Sequence, residues 1–151
     1  MVPVLASLVC LCFGQLVEKS SETPCGARLT VSTAESELSA GASARLSLTI
    51  TNASTNLLRF DENSDATDFQ ISLIHQKSGK SRALTKPRKT DIFRSITHLI
   101  KPGDVYERAI AFDIPKDTEP GDYNLSATCE VLDKDFQRCT LTSNLLKVTI
   151  K

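Results

Sequence analysis

Residues 99–131 read LIKPGDVYERAIAFDIPKDTEPGDYNLSATCEV: a turn, a strand, a second turn and a second strand. Pro102-Gly103-Asp104 and Pro120-Gly121-Asp122 supply the turns. Proline pre-sets φ for the first central position of a turn and glycine accepts the positive φ that follows. In the first strand Tyr106, Arg108, Ile110, Phe112 and Ile114 share a face; in the second, Tyr123, Leu125, Ala127, Cys129 and Val131 do. Arg108, alone among apolar neighbours, must lie near a sheet edge or be paired, because a lone buried charge is too costly.

The same period-two pattern extends outward in both directions. Residues 45–52, RLSLTITN, give the cleanest alternation: Leu46, Leu48 and Ile50 face inward, while Arg45, Ser47, Thr49 and Thr51 face water. Residues 27–32, 57–60, 69–76, 92–100 and 141–150 read as further strands, separated by polar or glycine-bearing turns. No segment keeps a helical period for more than a turn or two. The expected fold class is all-β, an antiparallel β-sandwich of about seven to nine strands in two sheets.

One inconsistency predicts a local feature. A hairpin centred on Lys134 keeps odd-numbered residues of the last strand inward, yet its final apolar residues, Leu146, Val148 and Ile150, are even-numbered. A one-residue slip reverses every side chain in a strand, so a bulge or break is expected at residues 143–145.

The chain has 151 residues, a formal net charge of +0 and no tryptophan, which suits one domain with a Leu/Ile/Val core. Charge balance gives no whole-chain pull toward nucleic acid. Residues 4–13 form an apolar run too short to span a bilayer, so residues 1–14 read as a signal peptide, 15–26 as a linker and 27–151 as the sandwich domain. No Lys or Arg precedes Lys19, which is atypical of a signal, and a buried strand or helix is the alternative reading. With the signal removed, no transmembrane segment is expected and the location is secreted or periplasmic, where disulfides persist. Cys25, Cys129 and Cys139 would remain. Symmetric pairing about Lys134 sets Cys129 opposite Cys139 as a candidate cross-strand disulfide, leaving Cys25 free or intermolecular; buried reduced thiols are the alternative.

Residues 48–52 (LTITN), 100–104 (IKPGD), 120–123 (PGDY) and 143–150 (SNLLKVTI) carry a resemblance to bacterial immunoglobulin-like and fibronectin-III-like extracytoplasmic domains. Within these the chain is most similar to the group of BsuPI-type proteinase inhibitors and the sandwich domain preceding some deuterolysin-type metalloproteases. The resemblance implies an immunoglobulin-like fold over about residues 27–151. It departs from the true immunoglobulin pattern, since residues 45–52 hold no cysteine and the chain holds no Trp.

Candidate sites are few. Asp61, Asn63 and Asp65 have the spacing that opens a calcium loop, but Ala66 and Ser72 stand where such a loop needs Gly and a bidentate Glu, so no metal is assigned. Lys77, Lys80, Arg82, Lys86, Arg88 and Lys89 form a candidate basic contact surface. The favoured plain reading of this run is a hairpin whose cations protect a sheet edge. His75 and His98, the two histidines, lie far apart with no nucleophile elbow, so no catalytic residue and no cofactor is assigned. Asn52-Ala53-Ser54 and Asn124-Leu125-Ser126 match the glycosylation acceptor pattern. The expectation is a non-enzymatic binding or accessory module, monomeric, with a protein or glycan partner. The alternative is a proteinase inhibitor presenting residues 53–68 or 81–90 as an exposed loop.

Overall fold

A computed structural model describes residues 23–63, 68–85 and 95–151. Eleven strands occur among them: β1 Ala27–Ser32, β2 Glu37–Leu38, β3 Ser43–Asn52, β4 Leu58–Glu62, β5 Gln70–His75, β6 Ser81–Ala83, β7 Ile96–Ile100, β8 Val105–Asp113, β9 Gly121–Leu132, β10 Arg138–Thr142 and β11 Leu146–Ile150. The count exceeds seven to nine because β2 and β6 are pairings of two and three residues, and because the last strand is broken in two.

The smaller sheet runs β1-β3-β8; the larger runs β2-β11-β9-β4-β7, with β10 also on β9 and β6 reached through β5. Twelve-residue β9 is the spine of the larger sheet. On one side it holds β11 and then β10; on the other, β5 and then Arg59 of β4. All these pairings are antiparallel except β2 with β11. The two inner faces bury Leu29, Leu46, Leu48, Ile50, Phe60, Phe69, Ile71, Leu73, Ile110 and Leu125. The alternation in residues 45–52 is reproduced in full, with buried and accessible residues alternating along β3.

The first Pro-Gly-Asp behaves as expected. Asp104 N–H donates to the Lys101 carbonyl at 3.0 Å, and Gly103 has φ +83°, the signature of a type II turn. The second does not. The reversal there is made earlier, by Thr118 N–H bonding the Pro115 carbonyl at 3.0 Å, and Gly121 is already the first residue of β9. Its glycine answers a close approach: a Cβ at Gly121 would stand 2.9 Å from Nε2 of His75.

The pairing of Cys129 with Cys139 is corrected. The β9–β10 hairpin closes around residues 133–137, not around Lys134, so Cys139 faces Val131 and Cys129 faces Leu141. Asp133 organises the longer loop, its carboxylate accepting the Asp135 and Gln137 amides, and Phe136 takes φ +58° at the loop's end. Cys139 is instead bonded to Cys25, Cα to Cα 6.4 Å, and Cys129 is a free, buried thiol.

The break at residues 143–145 is present. Across it the register against β9 slips by one residue: Leu141 faces Cys129, whereas Leu146 faces Leu125. The slip moves the inward set from odd to even numbers, so Leu141, Val148 and Ile150 are all buried. Buried Ser143 and Asn144 satisfy the interrupted ladder. Ser143 N–H bonds the Ala127 carbonyl at 2.9 Å, and its hydroxyl accepts the Ala127 amide at 2.9 Å. Asn144 reaches across to β1, accepting the Val31 amide at 2.8 Å and donating to the Val31 carbonyl at 3.2 Å. A side-chain amide here does the work of a neighbouring strand.

Candidate functional site

The Asn144 bridge and the Cys25–Cys139 disulfide fasten one flank of the sandwich. The opposite flank is where the chemistry-bearing side chains gather. There β8, the edge of the smaller sheet, faces β4 and β7 at one end and the β5–β6 hairpin at the other.

At the first end a charged cluster joins the two sheets. Glu62 of β4 accepts from His98 of β7 at 2.6 Å and from the Tyr106 hydroxyl of β8 at 2.9 Å. Arg108, also on β8, lies 3.4 Å from the other Glu62 oxygen and 3.0 Å from Asp68. Asp68 further accepts the Asn63 amide at 2.8 Å. The rings of Phe60, His98 and Tyr106 stack beneath, with centroids 4.7–6.5 Å apart. Arg108 therefore meets both conditions read from the sequence: it is on an edge strand and it is paired. The Tyr106 hydroxyl, His98 and Arg108 hold the Glu62 carboxyl below its ordinary range, the first contributing most. Burial, followed by the bond to Glu62, pushes the Tyr106 phenol up to about 12. Such a cluster ties sheet to sheet. Its members are committed to one another.

Two carboxylates around the calcium-like spacing are engaged elsewhere. Asp61 turns to Arg59 at 2.8 Å and Thr97 at 2.7 Å, which lower its pKa, while Asp68 serves Arg108. Asp65 and Ala66 lie outside the described residues, and no group of three or more metal-ligating side chains gathers among those described. A cleft of about 450 Å³ does open beside them, where β9 leaves β5 after Thr128 and has not yet met β4 at Leu132. Arg59, Gln70, Glu130 and Arg138 stand on its polar wall, and buried Cys129 lies on the floor.

At the second end sits the basic surface. Lys77, Lys80 and Arg82 lie on the β5–β6 hairpin; Lys86, Arg88 and Lys89 fall outside the described residues. Arg82 reaches over to Asp117 at 2.8 Å and lowers its pKa. All three β6 residues are exposed. Lys80 carbonyl and Leu84 N–H bond back to β5, at His75 and Ile71. Alternation then turns the main-chain groups of Ser81 and Ala83 away from the sheet. Beneath this edge a groove of about 260 Å³ runs between β6 and residues 117–119, with Leu73 and Tyr123 as its apolar wall. The His75 ring bonds Ser78 at 2.9 Å and packs edge-on against Tyr123.

The two acceptor patterns separate. Asn52 is wholly buried and its amide donates to the carbonyls of Asn56 and Ile100, so in the folded chain it is a cap. Asn124 lies on the outer side of β9, where its oxygen accepts from Gln76 at 3.1 Å.

The sequence matches no family model and no curated protein. Solved structures give the likenesses. Spo0M, a sporulation control protein from Bacillus subtilis, superposes with TM-score 0.49 at 11% identity, covering 83% of this chain and 49% of that one. The CARDB domain of the PF1109 protein from Pyrococcus furiosus, solved with di-metal ions, gives 0.44 at 11% identity over 92% and 98%. A β-glucosidase from Listeria innocua in complex with glucose gives 0.44 at 16% identity, over 82% of this chain and 16% of the enzyme. The chain thus spans about half the length of Spo0M and a small part of the glucosidase. These are likenesses of fold. The fold assignment itself rests on the strand ladders, and the activities and ligands of those proteins stay with them.

Proposed function

We propose that this chain is a non-enzymatic binding or accessory module, exported to a secreted or periplasmic setting, whose contact surface is the β6 edge and the groove below it. The observation that carries the reading is the outward main chain of Ser81 and Ala83 on a fully exposed strand. Open strand edges accept a partner's extended segment through main-chain hydrogen bonds, and adjacent pockets add specificity. The disulfide and the apolar run of residues 4–13 support the location. The chemistry beside the edge supports the class, since the nearby histidine and carboxylates serve packing and ion pairs.

The test is capture from the native extracellular milieu with the folded domain, beside Ser81→Pro and Lys80→Glu variants. Ser81→Pro deletes one outward N–H and leaves the β5 ladder intact. A partner retained by the wild type and lost with either variant supports the surface. Equal retention by all three argues against it, and a turnover abolished by changing one polar residue would overturn the non-enzymatic reading.

A second reading, proteinase inhibition, has one observation in its favour. Loop 53–57 is exposed yet rigid, pinned by Asn52 and by the Ser54 hydroxyl bonding Asn52 at 2.7 Å and Asn56 at 3.0 Å. Inhibitors gain affinity from a loop already held in its bound shape. Titration against serine, cysteine and metalloproteases decides it, because this reading requires stoichiometric inhibition.

A further inference from the structure

Strand β8 pairs with β3 along its whole length and has no strand on its other side among the described residues. Main-chain bonds at both ends fix which groups face outward. Asp104 carbonyl accepts the Asn52 amide, and Ile114 N–H and carbonyl bond Ala42 and Gly41. Even-numbered residues therefore point toward β3. Val105, Glu107, Ala109, Ala111 and Asp113 turn their N–H and C=O groups to the open side, and all five side chains lie exposed on the outer face. Natural edges of this length are blunted by lysine, proline or a bulge. This one has none of the three, and its single inward charge, Arg108, is already bound by Glu62 and Asp68.

The geometry points to a second copy of this chain as the occupant: two β8 edges pair antiparallel about a two-fold axis at Ala109, joining two three-stranded sheets into one of six. The strand is self-complementary in that register. Ala109 meets its own counterpart, Glu107 meets Ala111 of the second copy, and Val105 meets Asp113 of the second copy, so no like charges stand opposed. Centring on Glu107 would oppose two glutamates, and centring on Ala111 would leave residues 105–108 unpaired.

Charge complementarity singles out the Ala109 register. Arg45 of β3 is exposed and sits directly opposite Ala111. Across the axis the next residue in that row is Glu107 of the second copy, two strand spacings or about 10 Å from Arg45. Only the methyl group of Ala111 lies between them. An arginine and a glutamate extended toward each other bridge that span, and the two-fold axis makes the pair twice. Among the described residues neither the Arg45 nor the Glu107 side chain is in an ion pair within its own chain, whereas those of Arg59, Arg82, Arg108 and Arg138 are.

The experiment is mass determination in solution on the full chain across a concentration series. The wild type, Arg45→Glu, Glu107→Arg, the double reversal Arg45→Glu/Glu107→Arg and Ala109→Pro are compared, with circular dichroism checking that each is folded. The wild type is expected at twice the mass of one chain. Each single reversal places like charges across the axis and is expected to weaken association about tenfold or more. The double reversal restores it, and Ala109→Pro, which removes an outward donor, abolishes it. Three results overturn the proposal: a wild type that stays monomeric at the highest concentration, a dimer indifferent to the single reversals, or a dimer lost in them and not regained in the double reversal. If Ala109→Pro does not fold, the charge swap decides alone, since residues 45 and 107 lie on the exposed face.

Discussion

Asn52 shows how far one side chain organises its surroundings. With no exposed surface, it donates to the Asn56 and Ile100 carbonyls at 2.8 Å each, and it accepts from the amide and hydroxyl of Ser54. Its own main chain bonds Gly103 and Asp104, so loop 53–57 and turn 101–104 are held together through this residue. Asn52→Ala leaves the buried Ile100 carbonyl without this donor and frees loop 53–57, and is expected to cost about 2–3 kcal/mol, read as a lowered urea midpoint at unchanged slope. Cys129 is the other residue whose surroundings decide its behaviour. Burial pushes its thiol up to about 12, and the thiolate is the reactive form. Peptide mapping should find Cys129 unmodified after alkylation of the native protein and modified once it is unfolded without reductant. An adduct in the native state would contradict the burial. Neither role was legible in the sequence. Asn52 reads as a glycosylation acceptor because the carbonyl it caps is 48 positions away, and the cysteines read as neighbours because a hairpin is the nearest pairing available.

Local alternation fixed the faces of β3, β8 and β9 correctly, because period two is a property of each strand alone. Register belongs to the turn. Loop 133–137 needs five residues, with Phe136 in the left-handed region, and nothing in Asp-Lys-Asp announces that. The parity conflict further on was legible, since it depends only on counting. It also gives a sharp test: deleting Leu145 removes the extra residue and makes the ladder continuous, with Leu146 still opposite Leu125 and Val148 still opposite Tyr123. That variant is expected to unfold cooperatively, at a midpoint lowered by the lost Asn144–Val31 bonds, whereas one glycine inserted after Lys134 should leave the thermal midpoint nearly unchanged. The disulfide acts at the same scale. It closes a loop with a sequence separation of 114, and chain-entropy reasoning assigns a closure of that length roughly 4–5 kcal/mol. Cys25→Ala/Cys139→Ala should therefore unfold at distinctly lower urea. If its midpoint is unchanged, the staple on that flank contributes little.

At the scale of the whole molecule, the two flanks differ in what fastens them. The disulfide and Asn144 are indifferent to pH; the cluster of Glu62, His98, Tyr106, Arg108 and Asp68 is not. Glu62 and Asp61 are carboxylates held below their ordinary range by hydrogen-bond donors. Their contribution is present above the unfolded carboxylate value of about 4 and is lost as pH falls through the lower folded value. Tyr106 works in the opposite direction. Its phenol is raised to about 12, so its contribution is complete below the unfolded value of about 10 and is lost as pH climbs from there toward 12. The thermal midpoint should therefore fall at both extremes of pH. Tyr106→Phe should flatten both limbs at once, because it removes the titrating phenol and also the largest cause of the lowered Glu62 pKa. Absorbance titration supplies an independent reading. The chain has two tyrosines, and burial raises the Tyr123 phenol as well. The folded protein should thus form less tyrosinate than a free phenol would at the same pH. One tyrosine ionising normally near pH 10, and absent from the titration of Tyr106→Phe, would mean that β8 is not fastened to β4 and β7 in the way described.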